Sequence, residues 1–302
     1  MNSWAFIIDV AKCEGCNNCF MACKDEHVGN DWPKYTGPQP LHGHRWMRLP
    51  KHERGQFPIV DVSYRPTPCM HCEQPACAQA APDAVIRRKD GLVLIDPVAA
   101  RGRKELVSAC PYGAITWNEE LQSPQKCTFC AHLLDSGWTQ PRCAQACATG
   151  ALRAVRVDDA EISAKLSSGE LRQLHPELGT RPRVYYVNLD RFDKLFLAGT
   201  IVWNSEESEE CLEGAQVRLY QEGRLLAETE TDNYGDFKLD GLDRSERPLE
   251  LRIEAPGFAE KRVVISGLSQ SVTLAPALHV SLIPALCTER FAAEQELAHS
   301  YF

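Results

Sequence analysis

The chain has 302 residues, 44% hydrophobic and 25% charged, with a formal net charge of −8; that composition is ordinary for a globular chain, and the length suffices for two domains. It excludes collagen-like and disordered classes, and no apolar run approaches the ~18 residues of a membrane-spanning helix. The anomaly is 14 cysteines, which in a reducing compartment point to metal ligation or catalysis rather than disulfides.

The chain opens on Trp4-Ala5-Phe6-Ile7-Ile8-Asp9. No basic run precedes this apolar stretch, and it is too short for a secretory signal, so a cytoplasmic protein is expected. The first motif follows at Cys13, Cys16, Cys19 and Cys23. Three thiolates at three-residue intervals can wrap one face of a cube-shaped iron–sulfur cluster, and in two-cluster ferredoxins the fourth cysteine serves the other cluster. A zinc site more often takes two cysteine pairs separated by a longer loop.

The second motif is Cys69, Cys72 and Cys77. A ferredoxin-type fourth cysteine would fall at 81, where the chain has Ala81 followed by Pro82. The third motif is a remnant: Cys110-Pro111-Tyr112-Gly113 has the form of a fourth cysteine with its proline. Counting back by the spacing of the first motif, its other three ligands would fall at Ala100, Arg103 and Leu106. Ile95-Asp96 precedes Ala100 as Ile8-Asp9 precedes Cys13, which supports that register. Arg101, Arg103 and Lys104 then either fill the vacated site or form a solvated basic loop. The fourth motif is Cys127, Cys130, Cys143 and Cys147.

Crossed ligation divides these twelve cysteines without remainder. Cys13, Cys16, Cys19 and Cys147 form a first set; Cys23, Cys127, Cys130 and Cys143 a second; Cys69, Cys72, Cys77 and Cys110 a third. The pattern reads as a four-cluster plan with the site at Ala81, Ala100, Arg103 and Leu106 deleted, leaving three [4Fe–4S] clusters. With the sets full, His71 and His132 are expected to support ligands or to lie at the surface rather than to ligate. Three clusters with every iron held by cysteine leave no open site for a substrate. The expected role is therefore electron conduction, with the chemistry on another cofactor. No P-loop or GxGxxG follows an expected strand, so a partner subunit is expected to carry that cofactor.

Beyond the cysteines, residues 158–176 read as one or two short surface helices and Val184-Tyr185-Tyr186-Val187 as a strand. From about Leu197, alternating runs such as Val217-Arg218-Leu219, Phe237-Lys238-Leu239 and Leu249-Glu250-Leu251-Arg252-Ile253 are divided by turn residues. Such spacing predicts an antiparallel β-sandwich or barrel. Residues 286–302 read as a short helical tail, and Cys211 and Cys287 as plain thiols. The expected division is a cluster domain over 1–195, a β domain over 196–285 and the tail. The acidity is local: residues 203–250 hold 14 acids and 5 bases, and no basic surface suggests nucleic acid.

The cysteine plan resembles the iron–sulfur subunits of the DMSO reductase-type molybdopterin oxidoreductases, through the first motif, Cys69-Met70-His71-Cys72, Ala109-Cys110-Pro111-Tyr112-Gly113 and Lys126-Cys127-Thr128-Phe129-Cys130. Within them it is most similar to the small subunits of the pyrogallol–phloroglucinol transhydroxylase and resorcinol hydroxylase family. The deleted site carries that likeness, with Gly43-His44-Arg45-Trp46-Met47, Arg65-Pro66-Thr67-Pro68-Cys69, Gly179-Thr180-Arg181-Pro182-Arg183-Val184-Tyr185-Tyr186 and the appended β region. The latter also resembles transthyretin-like and carboxypeptidase-regulatory modules, through Leu212-Glu213-Gly214-Ala215 and Thr231-Asp232. Cys23 and Cys147 depart from the family pattern in lacking a following proline.

The resemblance implies an α+β fold: a duplicated bacterial-ferredoxin-like module followed by the sandwich. It also implies a cytoplasmic heterodimer without a membrane span, its large subunit carrying a molybdenum bis(pterin guanine dinucleotide) centre. That centre would hydroxylate or transhydroxylate polyhydroxylated aromatic rings; in the hydroxylase case two electrons leave for an external acceptor. The alternative is the same module serving a polysulfide, arsenate or nitrate-type reductase.

Overall fold

The computed structural model describes residues 2–57, 59–205 and 208–282; the expected tail and Cys287 lie outside them. The chain divides into two compact units, residues 2–52 with 63–192, and residues 53–62 with 193–282. Among the described residues no helix is long and apolar enough to cross a membrane.

The first unit is organised by its first strand. Asn2–Asp9 lies at the centre of a three-stranded sheet, antiparallel to Leu152–Asp158 and parallel to Val184–Val187. Its apolar residues run without a break because both faces are covered. Side chains alternate across the sheet: Ala5 packs with Val157, Ile162, Leu171 and Tyr185, while Phe6 and Ile8 join Leu152, Val184, Tyr186 and Phe129 on the other face. The helix Asp159–Ser167 supplies Ile162 to the first face, and its N-cap Asp158 accepts a hydrogen bond from the Ala160 N–H. The second face looks onto the cysteine loops, the hairpin of Val85–Arg87 with Val93–Ile95, and the helices Asn18–His27 and Arg142–Gln145; a further hairpin joins Thr116–Asn118 to Ser123–Gln125.

The second unit is built from two sheets. One joins Glu209–Cys211, Leu195–Asn204 and Asp236–Leu242, with Val272–Thr273 and Leu278–Val280 also pairing to Leu195–Asn204. The other runs Arg224–Glu230, Gln216–Gln221, Leu249–Glu254, Lys261–Ile265, antiparallel throughout. Leu197, Ile201, Phe237 and Leu239 from the first meet Val217, Leu219, Leu251 and Ile253 from the second in one apolar core.

Two features differ from the sequence reading. The first sheet is mixed, not antiparallel, because its last two strands run parallel to Leu195–Asn204; side-chain alternation is the same for either direction. In addition, residues 53–62, the outer part of the hairpin Lys51–Gln56 and Ile59–Tyr64, group with the second unit. Arg54 explains the grouping. Its fully buried guanidinium donates to the Lys194 carbonyl at 2.9 Å, to Asp240 at 2.8 and 3.1 Å and to Asp61, and lies over the Phe196 ring.

Candidate metal centres

The C-x2-C loops share a backbone device. Gly15, His71 and Phe129 each occupy the third position of their loop, and all have positive φ, at 69°, 42° and 60°. This left-handed step curls the loop so that a main-chain N–H turns back onto sulfur. Gly15 donates to Cys13, and Phe129 donates to Cys127 at 3.4 Å. Gly15 also has no room for a side chain, since a Cβ there would lie 2.6 Å from the Tyr64 ring. His71 and Phe129 adopt a conformation that costs a non-glycine residue about 1–3 kcal/mol and is typical of functional loops.

The loops bring the expected sets together. Cys69, Cys72, Cys77 and Cys110 line one cavity with about 370 Å³ of atom-free space. Cys23, Cys127, Cys130 and Cys143 line another of about 290 Å³, with His27, Trp46 and Phe129. Cys13, Cys16, Cys19 and Cys147 are close enough that their sulfurs act on one another: burial first, then Cys13, Cys147 and Cys16, push the Cys19 thiol up to about 12. The second set is the most deeply buried, whereas Cys16 in the first is exposed. The second set neighbours both of the others, with Cys127 acted on by Cys69 of the third set and Cys143 by Cys19 of the first.

These sulfurs suit an iron–sulfur cube better than a single ion. Among the described residues no three His, Cys, Asp or Glu side chains close on one point as a single metal ion requires. A zinc draws four sulfurs to about 2.3 Å from one centre, whereas here they ring a cavity. Burial first and neighbouring sulfurs next drive Cys72 and Cys130 to about 12 and Cys127 to about 11. Such thiols ionise when a cationic iron core supplies the missing charge. Further N–H groups point at sulfur, Ala114 to Cys110 at 3.4 Å and Leu152 to Cys147 at 3.3 Å, and such bonds help set a cluster's potential.

Several residues around the cavities carried no signal in the spacing. His27 is buried with Nε2 3.8 Å from the Cys130 sulfur. Burial, then His132, pushes its pKa down to about 3, so the ring is neutral at physiological pH. Lys126 is buried, and its ammonium donates to the carbonyls of Val93 and Cys127. Its place before Cys127 was visible; its burial was not. His71 accepts a hydrogen bond from the Val93 N–H at 3.1 Å, and His132 pairs with Glu26 at 2.9 Å while stacking on Trp32. Cys211 is exposed on its strand, apart from the three sets.

At three of the four positions without cysteine, the structure places apolar packing. Ala81, Ala100 and Leu106 have no exposed surface and share one cluster with Val85, Val93, Ile95 and Ile115. Arg103 turns away to Asp83 at 3.0 Å and Glu105 at 2.5 Å, and Lys104 lies over Trp117. The space is thus filled by alanine and leucine, not by the basic side chains. Ala100→Leu should therefore overpack it, costing about 1–3 kcal/mol. The readout is bleaching of the visible cluster absorption at lower temperature than in the parent; an unchanged transition would mean the space is open.

Comparison with known proteins agrees with this geometry. Residues 60–157 match the 4Fe-4S dicluster domain family. The pyrogallol hydroxytransferase small subunit of Pelobacter acidigallici is 45% identical over 267 residues, covering 87% of this chain and 96% of that protein. The chain belongs to that family of small iron–sulfur subunits, within the molybdopterin oxidoreductases. More distant relatives are a tetrathionate reductase subunit of Salmonella typhimurium and the arsenate respiratory reductase iron–sulfur subunit of a Shewanella strain. The first is 32% identical over 62% of this chain and 73% of its own length, the second 29% over 60% and 94%. The pyrogallol relative alone among these three extends well beyond the share of the chain that the reductase subunits match.

Proposed function

We propose that this subunit conducts single electrons to or from a large molybdopterin subunit acting on polyhydroxylated aromatic rings of the pyrogallol and resorcinol class. Three [4Fe–4S] clusters would be held by the three crossed cysteine sets, and the positions Ala81, Ala100, Arg103 and Leu106 would mark the lost fourth site. The observation that carries this reading is the convergence of two sets of four cysteines, each from sequence-distant motifs, on a separate cavity. The 45% identity over 87% of the chain favours the aromatic-ring partner over a tetrathionate- or arsenate-type one.

Each cluster, when bound, takes up and releases one electron at a potential within roughly −700 to +450 mV. This chain's residues supply the conditions: N–H groups aimed at sulfur, a neutral His27 beside Cys130, and a second set shielded from water beside both of the others. The molybdenum bis(pterin guanine dinucleotide) centre would be carried by the large partner subunit, in keeping with membership of the small-subunit family. The second unit is read as a transthyretin-like or carboxypeptidase-regulatory sandwich that docks against the partner. The heterodimer is assigned to the cytoplasm, with an external electron acceptor in the hydroxylase case.

Purification from its natural host tests the assignment. The chain should copurify with a large molybdenum-containing subunit and carry about twelve irons and twelve sulfides, four of each per cluster. Zinc without sulfide, or a chain that purifies alone and metal-free, would overturn it.

A further inference from the structure

Lys126 keeps only 3% of its surface exposed. A lysine buried to this degree is rare unless its charge is balanced. Its hydrogen bonds go to two main-chain carbonyls, Val93 and, at 3.2 Å, Cys127. Neither carries a net charge; Lys126 also lines a wider cavity with Asp31 and Arg101, and the densest set of ionisable groups it faces is that of the cysteines. Lys126 lines the cavity of Cys69, Cys72, Cys77 and Cys110. It also directly precedes Cys127, which lines the cavity of the second set. Its charge reaches the sulfurs of Cys77, Cys110 and Cys127. No cysteine of the first set, Cys13, Cys16, Cys19 and Cys147, lines either of those cavities.

A four-iron cube with four thiolates carries net negative charge, and one more electron makes it more negative. A fixed cation beside it therefore favours the reduced form, and net charge is one of the levers on cluster potential. We propose that Lys126 is a positioning charge that raises the reduction potential of the third-set cluster, and to a smaller extent that of the second, while leaving the first unchanged. Lys126 would then bias the resting electron toward the third-set end of the relay. This assignment rests on the three-cluster reading above.

The test is potentiometric titration of the intact complex, following the reduced-cluster electron paramagnetic resonance signals, in the parent, Lys126→Gln and Lys126→Arg. Glutamine keeps a hydrogen-bond donor without the charge, and arginine keeps the charge. In Lys126→Gln, iron and sulfide should stay at the parent's level. The third-set reduction equilibrium should shift about tenfold toward the oxidised form, which is about 59 mV for one electron. The second should move less and the first not at all, and Lys126→Arg should stay within about threefold of the parent by the same relation. Unmoved potentials in Lys126→Gln, equal shifts in both variants, or a cluster lost from the glutamine variant alone would each overturn the proposal. The underlying reading fails separately, if the parent itself shows no such signals on reduction.

Discussion

On the three-cluster proposal, alanine at Cys143 should remove one whole cluster, lowering iron from about twelve to about eight per chain, with sulfide falling in step. Alanine at Cys23 should remove the same one, although 120 residues separate the two positions. Both cysteines line one cavity with Cys127 and Cys130, and a cube that loses one of four buried thiolates leaves an iron facing apolar walls. The discriminating results are the double variants. Cys23→Ala with Cys143→Ala should still hold about eight irons, since both belong to one cluster. Cys143→Ala with Cys147→Ala should hold about four, because those neighbours serve different clusters. If each motif instead held its own cluster, the two outcomes would be exchanged. Iron and sulfide analysis of the complexes, with spin counting of the reduced clusters, reads the difference.

Arg54→Met should be the most damaging single change in the second unit. Arg54 has no exposed side-chain surface, and its loss leaves Lys238, at 3.7 Å from Asp61 and 3.0 Å from Asp240, as the cation shared by the two carboxylates. Breaking a buried pair costs about 3–5 kcal/mol; the low end, about 3 kcal/mol, applies because water reaches part of Asp240, at 39% exposure. Hydrogen exchange in Leu195–Asn204 and Asp236–Leu242 should then accelerate roughly a hundredfold, while the sheet of Asn2–Asp9 keeps its protection. Adding Asp240→Asn should recover part of the loss, since Lys238 then has one carboxylate to balance instead of two. Unchanged exchange in Arg54→Met would mean the cluster of charges is decorative.

Much of the candidate site was legible because iron–sulfur ligation is written in spacing. Four thiolates must come from short loops, and the gaps at Ala81, Ala100, Arg103 and Leu106 are as regular as the motifs themselves. The strand Val184–Val187 and the alternating strands of the second unit were legible for a similar reason: side-chain period is a local property. What escaped the sequence depends on partners far along the chain. Trp4 to Ile8 looked like a short apolar stretch. Its place at the centre of a sheet requires Leu152–Asp158 and Val184–Val187. Lys126 and His27 look like surface residues until folding buries them beside sulfur. The left-handed step at Gly15 is readable from glycine, but His71 and Phe129 adopt it without any residue-type signal.

The apolar plug of Ala81, Ala100 and Leu106 also makes history hard to undo. On the three-cluster reading, a returning fourth cluster needs cysteine at 81, 100, 103 and 106 together. Any one of them alone binds no cube, and at Leu106 the exchange removes packing volume that the fold has come to rely on. Each step back is neutral or harmful until the last, so selection has no gradient to follow. The shortened relay behaves as a ratchet: easily reached by losing cysteines, then locked by the side chains that moved in.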